Sequence, residues 1–216
     1  MRKKMIKQFT FNHYEVNTYL VADPASRQCA IVDPACQASY EDEQLARYIA
    51  DMGLVPAYIL LTHAHVDHIA GLRQACEAFR LPVSMHPEGQ KLLRQAEAYG
   101  SIMGFAVDNM DDLAVNPLDD GQVLHLAETE IECRYVPGHC PGSLCFVVPG
   151  ARSVITGDAL FHFSIGRTDL PGGDYNLLTS KIKERILSLP DDFTVLPGHG
   201  ISSQIGKEKR YNSFLV

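Results

Sequence analysis

The chain alternates short apolar segments with turn residues, and these segments fall into two blocks. Runs of this length, flanked by Gly, Pro, Asn or Asp, predict β-strands. The first block predicts strands at residues 5–11, 17–22, 29–32 and 57–61. The second block predicts strands at residues 123–126, 130–136, 144–148, 153–156 and 193–196. The fold therefore has to bury two sets of strands.

Segments with helical periodicity accompany each block. Leu45 and Ile49 share one face of a helix predicted over residues 40–52, which Gly53 ends. Further helices are predicted over residues 69–79, 90–99 and 176–187. Two blocks of strands, each with its own helices, predict a mixed α/β (α+β) fold built as a four-layer αββα sandwich.

Polar, turn-rich residues 108–120 are predicted to form the loop that joins the two halves. No stretch of flexible composition separates the halves, so we expect a single domain over residues 1–216. The basic residues near the C-terminus, Lys207, Lys209 and Arg210, alternate with Glu208 and predict a solvated face.

The charge balance bears on partners and location. Lys and Arg number 19 against 26 Asp and Glu, and the net charge of −7 is the wrong sign for holding a polyphosphate backbone. We expect a small-molecule substrate and no nucleic acid. The six cysteines contain no C-x-x-C pair, and we find neither a secretory segment nor an apolar run near the ~18 residues of a membrane span. A cytoplasmic protein without a membrane partner is expected, with the oligomeric state left open.

Three histidines and an aspartate stand within residues 63–68, between a predicted buried strand and a predicted helix. They are His63, His65, Asp67 and His68. Side chains two apart in an extended segment project to the same side, so His63 and His65 can hold one metal ion. Asp67 and His68 can turn toward a neighbouring position, and imidazole with carboxylate suits zinc or iron.

Three more polar residues follow predicted strands, each directly after a glycine: His139, Asp158 and His199. A glycine lets the backbone turn sharply, so each side chain can point into one cleft at the strand ends. Taken alone, each has a structural alternative as a capping Asp or a turn His. Together with residues 63–68 they predict a shared metal site.

The pattern resembles the metallo-β-lactamase-fold superfamily, whose T-H-x-H-x-D-H signature stands at residues 62–68. The resemblance covers nearly the whole chain and agrees with the αββα layers. It implies one metal ion on His63, His65 and His139. It implies a second on Asp67, His68 and His199, with Asp158 bridging the two. The implied cofactors are two divalent ions, with zinc favoured and iron or manganese as alternatives.

Within the superfamily, residues 137–143, 157–173, 196–200 and 206–215 are similar to glyoxalase II-like enzymes (hydroxyacylglutathione hydrolases). The similarity is to the short bacterial type, which lacks the C-terminal helical domain. True β-lactamases resemble the chain less, because they are exported and carry a cysteine at a second-metal position, where Asp158 stands here. Cys140, where the short type commonly has Thr, either packs near the site or tunes it.

The family places a basic residue where Arg167 stands, near the carboxylate of the thiol peptide. A guanidinium can grip such a carboxylate with two hydrogen bonds, which makes Arg167 our candidate substrate-binding residue. A structural salt bridge to Asp169 is the equally weighted alternative.

Two divalent ions can share a water, lower its pKa toward neutrality and polarise a carbonyl. The resemblance thus implies a hydrolase that attacks a thioester such as S-lactoylglutathione with a hydroxide shared by the metals. Asp67 is the candidate catalytic residue that accepts the proton. A thiolate with a pKa of about 8.5 leaves without a general acid, and His162 is the best candidate if one is needed.

Two other activities of the same fold stay open. A persulfide dioxygenase, an oxidoreductase with a single iron on two histidines and an aspartate, shares the Gly-Arg-Thr-Asp stretch at residues 166–169. His199, placed as a second-metal ligand, argues against it. An RNA-processing nuclease is disfavoured by the net charge of −7.

Overall fold

The first six strands form one sheet in chain order in this computed structural model, which describes residues 6–216. Met5, the predicted start of the first strand, lies outside the described residues. The strands are β1 Ile6–Phe11, β2 Val16–Ala22, β3 Gln28–Val32, β4 Val55–Leu60, β5 Val83–Met85 and β6 Val115–Pro117. β1 to β3 pair antiparallel, and β3 to β6 pair parallel. The carboxyl ends of β3 and β4 therefore meet at one edge.

Six further strands form the second sheet. They are β7 Val123–Leu126, β8 Thr129–Tyr135, β9 Leu144–Val148, β10 Ser153–Gly157, β13 Thr194–Pro197 and β14 Ser203–Gln204, in the order β14-β13-β10-β9-β8-β7. β9 is antiparallel to both β8 and β10, and β10 is parallel to β13, so β8, β10 and β13 run in the same direction. A separate hairpin consists of β11 Leu160–Phe161 and β12 Ser164–Ile165.

Helices cover the outer faces of both sheets. They are α1 Ser39–Asp51, α2 Leu72–Phe79, α3 Gln90–Arg94, α4 Ala96–Met103, α5 Tyr175–Lys181, continued by a π-helical turn at Ile182–Ile186, and α6 Ile205–Tyr211. None of the helices in residues 6–216 is both long and apolar enough to cross a membrane.

Each sheet packs against the other sheet with one face and against helices with its other face. Tyr19 and Leu60 of the first sheet pack against Phe146 and Ile155 of the second. On the outer face of the first sheet, strand residues such as Ile31 contact α1. Helices α2 to α4 cover its other half, and α5 and α6 cover the second sheet. The predicted αββα sandwich is therefore confirmed.

The helix predicted over residues 90–99 differs from the one observed. α3 and α4 meet at Gln95, whose ψ of 1° departs from helical geometry. α4 continues through Gly100 and ends at Gly104, which has a φ of +81°. A Cβ at Gly100 would lie 3.0 Å from the carbonyl oxygen of Phe105. Glycine here permits close packing and does not end the helix.

Two short strands of the first sheet escaped prediction, as did the two-residue strands β11, β12 and β14. β5 was not predicted, and β6 lies inside residues 108–120, which were predicted to be loop. Each has three residues, and β6 contains the polar Asn116 and lies shortly after Asp111 and Asp112. Three residues are too few to show an alternation of apolar and polar side chains. Their pairing with β4 and with each other forms them.

The C-terminal segment confirms one part of a prediction and corrects another, since Lys207 and Arg210 are exposed as predicted and Glu208 is not. Glu208, predicted to lie on a solvated face, is fully buried in α6. Its carboxylate accepts hydrogen bonds from the Phe163 N–H at 3.1 Å, from Asn212 Nδ2 at 2.8 Å and from the Ser203 hydroxyl. Phe163 lies in the turn of the β11–β12 hairpin, so α6 fastens that hairpin to the second sheet.

Replacing Glu208 with Gln should lower the free energy of unfolding by about 1–3 kcal/mol, because the amide would place a donor among three donors. Urea denaturation of the two proteins measures this difference. The control is Glu184→Gln on the exposed side of the π-helical turn, which should change stability by less than about 0.5 kcal/mol. A Glu208→Gln protein as stable as the parent would contradict this assignment.

Candidate metal centre

Residues 63–68 begin three positions after the end of β4, and tight turns start at Val66. The His68 N–H donates to the His65 carbonyl at 3.0 Å, and the Ile69 N–H donates to that of Val66 at 3.4 Å. α2 begins at Leu72, three residues later than predicted, because these turns occupy residues 66–71. The loop lies at the carboxyl end of β4, where the sequence placed it.

His139, Asp158 and His199 come after β8, β10 and β13, the three strands that run in the same direction. Glycines make the close approach possible. A Cβ at Gly157 would lie 2.4 Å from the Thr62 hydroxyl, and one at Gly198 would lie 2.4 Å from Asp158 Oδ1. The second sheet thus brings three side chains against the loop of the first.

The seven side chains predicted from the sequence meet in two outer clusters, joined by a third group that consists of His63, His68 and Asp158. His63, His65 and His139 form the first, with Cys140 beside them. Asp67, His68 and His199 form the second. In the first cluster, His65 Nδ1 lies 2.9 Å from His139 Nε2. In the second, His199 Nε2 lies 3.3 Å from His68 Nε2 and 3.2 Å from Asp67 Oδ2.

Asp158 stands between the clusters. Its Oδ2 is 3.7 Å from His139 Nε2 in the first cluster and 3.6 Å from His199 Nε2 in the second. Its Oδ1 lies 3.2 Å from His68 Nε2. One carboxylate therefore faces both groups of imidazoles, as a bridging ligand would.

Oxygen acceptors hold the far sides of three imidazole rings. His139 Nδ1 donates to the Arg167 carbonyl at 2.8 Å, and His199 Nδ1 donates to the Tyr14 carbonyl at 2.9 Å. His68 Nδ1 is 3.0 Å from Asp33 Oδ2. Each bond places the hydrogen on Nδ1 and turns the lone pair of Nε2 toward the centre, as metal ligands require.

Two buried polar atoms fit a bound cation. His63 Nε2 has no hydrogen-bond partner among residues 6–216, although the side chain is buried. Asp158 Oδ1 is also without a hydrogen bond there, because its contact with His68 is poorly aligned. Buried groups of this kind are costly unless something satisfies them. Imidazole and carboxylate donors suit divalent zinc, iron or manganese, so the residues present fit such ions.

The pKa directions differ between the two clusters: His63 and His65 of the first are held neutral, whereas His68 of the second is held protonated by ionised carboxylates. Burial lowers the pKa of His63 far below its usual value, and burial with the nearby His139 lowers the pKa of His65 to about 4. Burial alone would raise the pKa of Asp158, but His68 holds it well below its usual value. His68 shows the converse, because Asp158 and Asp67 overcome the effect of burial and raise its pKa. Carboxylates and neutral imidazoles are the forms that bind metals.

Asp33 is a site residue that the sequence reasoning missed. It is buried directly after β3 and accepts hydrogen bonds from the Thr62 N–H at 2.7 Å and the Thr62 hydroxyl at 2.6 Å, besides facing His68. Its φ of +51° is a conformation that Asp and Asn tolerate better than most residues. The signal was present, since an Asp followed by Pro ends a strand predicted beside the one that carries the histidines.

Asn17 was also missed as a supporting residue, since the sequence marked it only as the start of a strand. Its Nδ2 donates to the carbonyls of Pro197 at 3.0 Å and Gly200 at 2.9 Å. These bonds fix the loop that carries His199 to the first sheet. A buried amide inside a strand is the signal that could have identified it.

A cavity of about 510 Å³ opens over the clusters, with His65, Asp67 and His199 among its lining side chains. Arg167 also lines it, yet its guanidinium pairs with both oxygens of Asp169 at 2.8 Å. Its backbone carbonyl, which holds His139, is the part of Arg167 that contacts the centre. The sequence considered substrate binding or a salt bridge, and the structure contains the salt bridge at the cavity edge.

Cys140 is fully buried, and its Sγ lies 3.3 Å from Ser143 Oγ. Burial raises the pKa of the Cys140 thiol to about 12. His162, the candidate proton donor, is not among the side chains that line the cavity in residues 6–216. Its ring instead packs 4.0 Å from that of Phe163.

Comparison with known proteins agrees with this geometry. A model of the metallo-beta-lactamase superfamily matches residues 12–199, and the chain belongs to that superfamily. It is 37% identical over 202 residues to the probable metallo-hydrolase YqgX of Bacillus subtilis, covering 93% of this chain and 92% of that one. It is 34% identical over 209 residues to the hydroxyacylglutathione hydrolase GloC of Haemophilus influenzae, covering 94% and 93%.

Two solved structures are closely similar. One is TTHA1623 in a di-iron-bound form, with a TM-score of 0.86 and 36% identity over 97% of this chain and 100% of that one. The other is the B3 metallo-beta-lactamase BLEG-1, with a TM-score of 0.88 and 32% identity over 98% and 100%. Similarity of fold therefore does not set β-lactamases apart from this chain, contrary to the sequence-based expectation.

Replacing Asp33 with Asn should weaken metal binding by the Asp67–His68–His199 cluster by about 10- to 100-fold, because a neutral amide no longer orients His68 as firmly. Asn keeps the backbone conformation of Asp33 accessible. Competition titrations of zinc against a chromophoric chelator measure the change. Asp51→Asn on the exposed face of α1 is the matched control and should bind zinc like the parent. Equal affinity in Asp33→Asn would refute the role given to Asp33.

Proposed function

We propose that this metallo-hydrolase cleaves thioesters, S-lactoylglutathione among them, with two divalent metal ions. The observation that carries the proposal is the division of seven buried or half-buried ligands into two clusters that share Asp158. The relative GloC, named a hydroxyacylglutathione hydrolase, matches over nearly its whole length and supports the choice of substrate.

In this proposal His63, His65 and His139 hold one ion, and Asp67, His68 and His199 hold the other, with Asp158 between them. Two such ions would supply an acidified water and a polarised carbonyl. The backbone carbonyls of Arg167 and Tyr14 and the carboxylate of Asp33 keep three imidazoles in the required orientation. Zinc is our expected metal, and the di-iron form of TTHA1623 makes iron the alternative.

Asp67 has a second role in the proposal. Burial alone would raise its pKa, but His68 and a hydrogen bond from His199 lower it, so the group is a carboxylate at neutral pH. Its position in the floor of the cavity lets Oδ2 accept a hydrogen bond from the attacking water and receive its proton.

The overall reaction needs no other acid. Water adds to the carbonyl carbon, and the carbon–sulfur bond breaks with its electron pair on sulfur. The products are a carboxylate and a thiolate, and both protons of the water pass to solvent. Because a thiol has a pKa of about 8.5, the thiolate leaves readily. The position of His162 away from the cavity is compatible with this chemistry.

A mono-iron persulfide dioxygenase is the alternative that the sequence left open. The similarity to ETHE1 from Myxococcus xanthus, at 24% identity and a TM-score of 0.78, concerns the fold alone. The close approach of His199 to both Asp67 and His68 favours two metal ions. Metal content and oxygen consumption separate the two activities.

Purified protein, loaded with zinc or with iron, should bind two metal ions per chain and hydrolyse S-lactoylglutathione without consuming oxygen. Asp67→Asn should reduce kcat/KM about 100-fold or more, whereas Asp51→Asn on α1 should leave it unchanged. Loss of the thioester absorbance measures the rate. A chromogenic cephalosporin, tested in parallel, measures β-lactamase activity, because the similar protein BLEG-1 is named a metallo-beta-lactamase.

No thioester hydrolysis by the loaded protein would remove the proposal. One iron per chain with oxygen uptake on a glutathione persulfide would replace it with the dioxygenase. Turnover of the cephalosporin alone would assign a β-lactamase. Equal rates for Asp67→Asn and the parent would remove only the role of the aspartate.

A further inference from the structure

The walls of the cavity above the candidate metal centre are mostly apolar. Its floor holds the ligands, but the sides that rise from it carry aliphatic and aromatic side chains from two separate parts of the chain. A cavity of about 510 Å³ has the size of a small-molecule site. The walls would contact the parts of the substrate that lie away from the metal ions, so their chemistry indicates which substrates fit.

One wall is a stripe along α3 and α4. Leu92, Ala96, Tyr99 and Met103 line the cavity, with spacings of four, three and four residues that place them on one face. Leu93 and Ala96 belong to a buried cluster that includes Ile59 and Val83 of the first sheet, and the partly buried Leu92 and Met103 pack against that cluster. Leu92, Ala96 and Met103 therefore contact both the core and the cavity.

The opposite wall comes from the β11–β12 hairpin and the loop after it. Phe161, Ile165 and Leu170 line the cavity there. The hydrogen bonds from Phe163 to Glu208 and from Asn212 Nδ2 to the Ser164 carbonyl at 3.1 Å hold this hairpin to α6. A fastened wall offers a preformed apolar surface, which lowers the ordering cost of binding.

A single Lys or Arg side chain, that of Arg167, lines the cavity among residues 6–216. The guanidinium of Arg167 is offset by Asp169, which it binds through two parallel hydrogen bonds. Glutathione carries two carboxylates, and a paired guanidinium gives them no net positive charge to approach.

We propose that the preferred substrates are thioesters with an apolar acyl chain of several carbons, and that this chain lies between the two walls. The inference rests on the proposed thioester hydrolysis and narrows it. S-lactoylglutathione is then a substrate of the same reaction but a poor one. The carboxylates of the thiol half contribute little to recognition.

Two substrate series test this directly. Acetyl, butyryl and hexanoyl thioesters are made on glutathione and again on N-acetylcysteamine, which has no carboxylate, with S-lactoylglutathione as the reference. We expect kcat/KM to rise about tenfold for each two methylenes added, since each buried methylene favours binding. The two thiols should give values within about threefold of each other for the same acyl group.

The outcomes are distinguishable. No hydrolysis of any thioester would defeat the proposed function itself. Hydrolysis of S-lactoylglutathione with no gain from acetyl to hexanoyl would overturn this inference and leave the proposed function standing. A loss of more than tenfold on changing glutathione to N-acetylcysteamine would overturn the part that concerns the thiol.

Two variants locate the effect in the walls. Met103→Gln, which keeps the length of the side chain, and Leu170→Gln on the opposite wall should each lower kcat/KM for the hexanoyl thioester about tenfold and change the acetyl value less than twofold. Ile102→Gln is the matched control, because Ile102 neighbours Met103 but is 81% exposed and outside the cavity. An equal loss for both acyl groups, or the same loss in Ile102→Gln, would refute the assigned position of the chain.

Discussion

Burial of two carboxylates among five imidazoles is the constraint on which the rest of the site depends. Asp67 and Asp158 lie close to rings that are mostly shielded from water, and their charge needs a positive partner there. Uncompensated charges in such a place are expensive, so the arrangement persists only if cations enter or protons take their place. The fold keeps these carboxylates buried and ionised, and it thereby creates the demand for metal.

Residues of the first sheet hold the candidate ligands in place through hydrogen bonds. Asp33 at the end of β3 binds Thr62 at the end of β4 and also orients His68, so two neighbouring parallel strands hold one ligand. Asn17 of β2 performs the corresponding task for the loop that carries His199. The loops that carry the candidate ligands are thus anchored to regular strands, and this favours a precise geometry.

Much of this was visible in the sequence, because the relevant signals are local. The apolar runs predicted most strands, and the seven ligands stand beside glycines or in one dense run. Asp33 and Glu208 were missed for a physical reason, since each acts through partners distant in the chain, such as His68 and Phe163. The apolar cavity stripe on α3 and α4 was likewise invisible, because its partner is a wall formed by residues some 60 positions away.

The candidate ligands are divided between the two sheets: four come from the loop after β4, and three follow strands of the second sheet. Neither half of the polypeptide can assemble either cluster, because each requires a histidine from beyond position 138. Both clusters therefore form only when the two sheets have packed together, because each cluster takes residues from both halves of the chain. Binding of metal at either cluster would stabilise the packing of one sheet on the other.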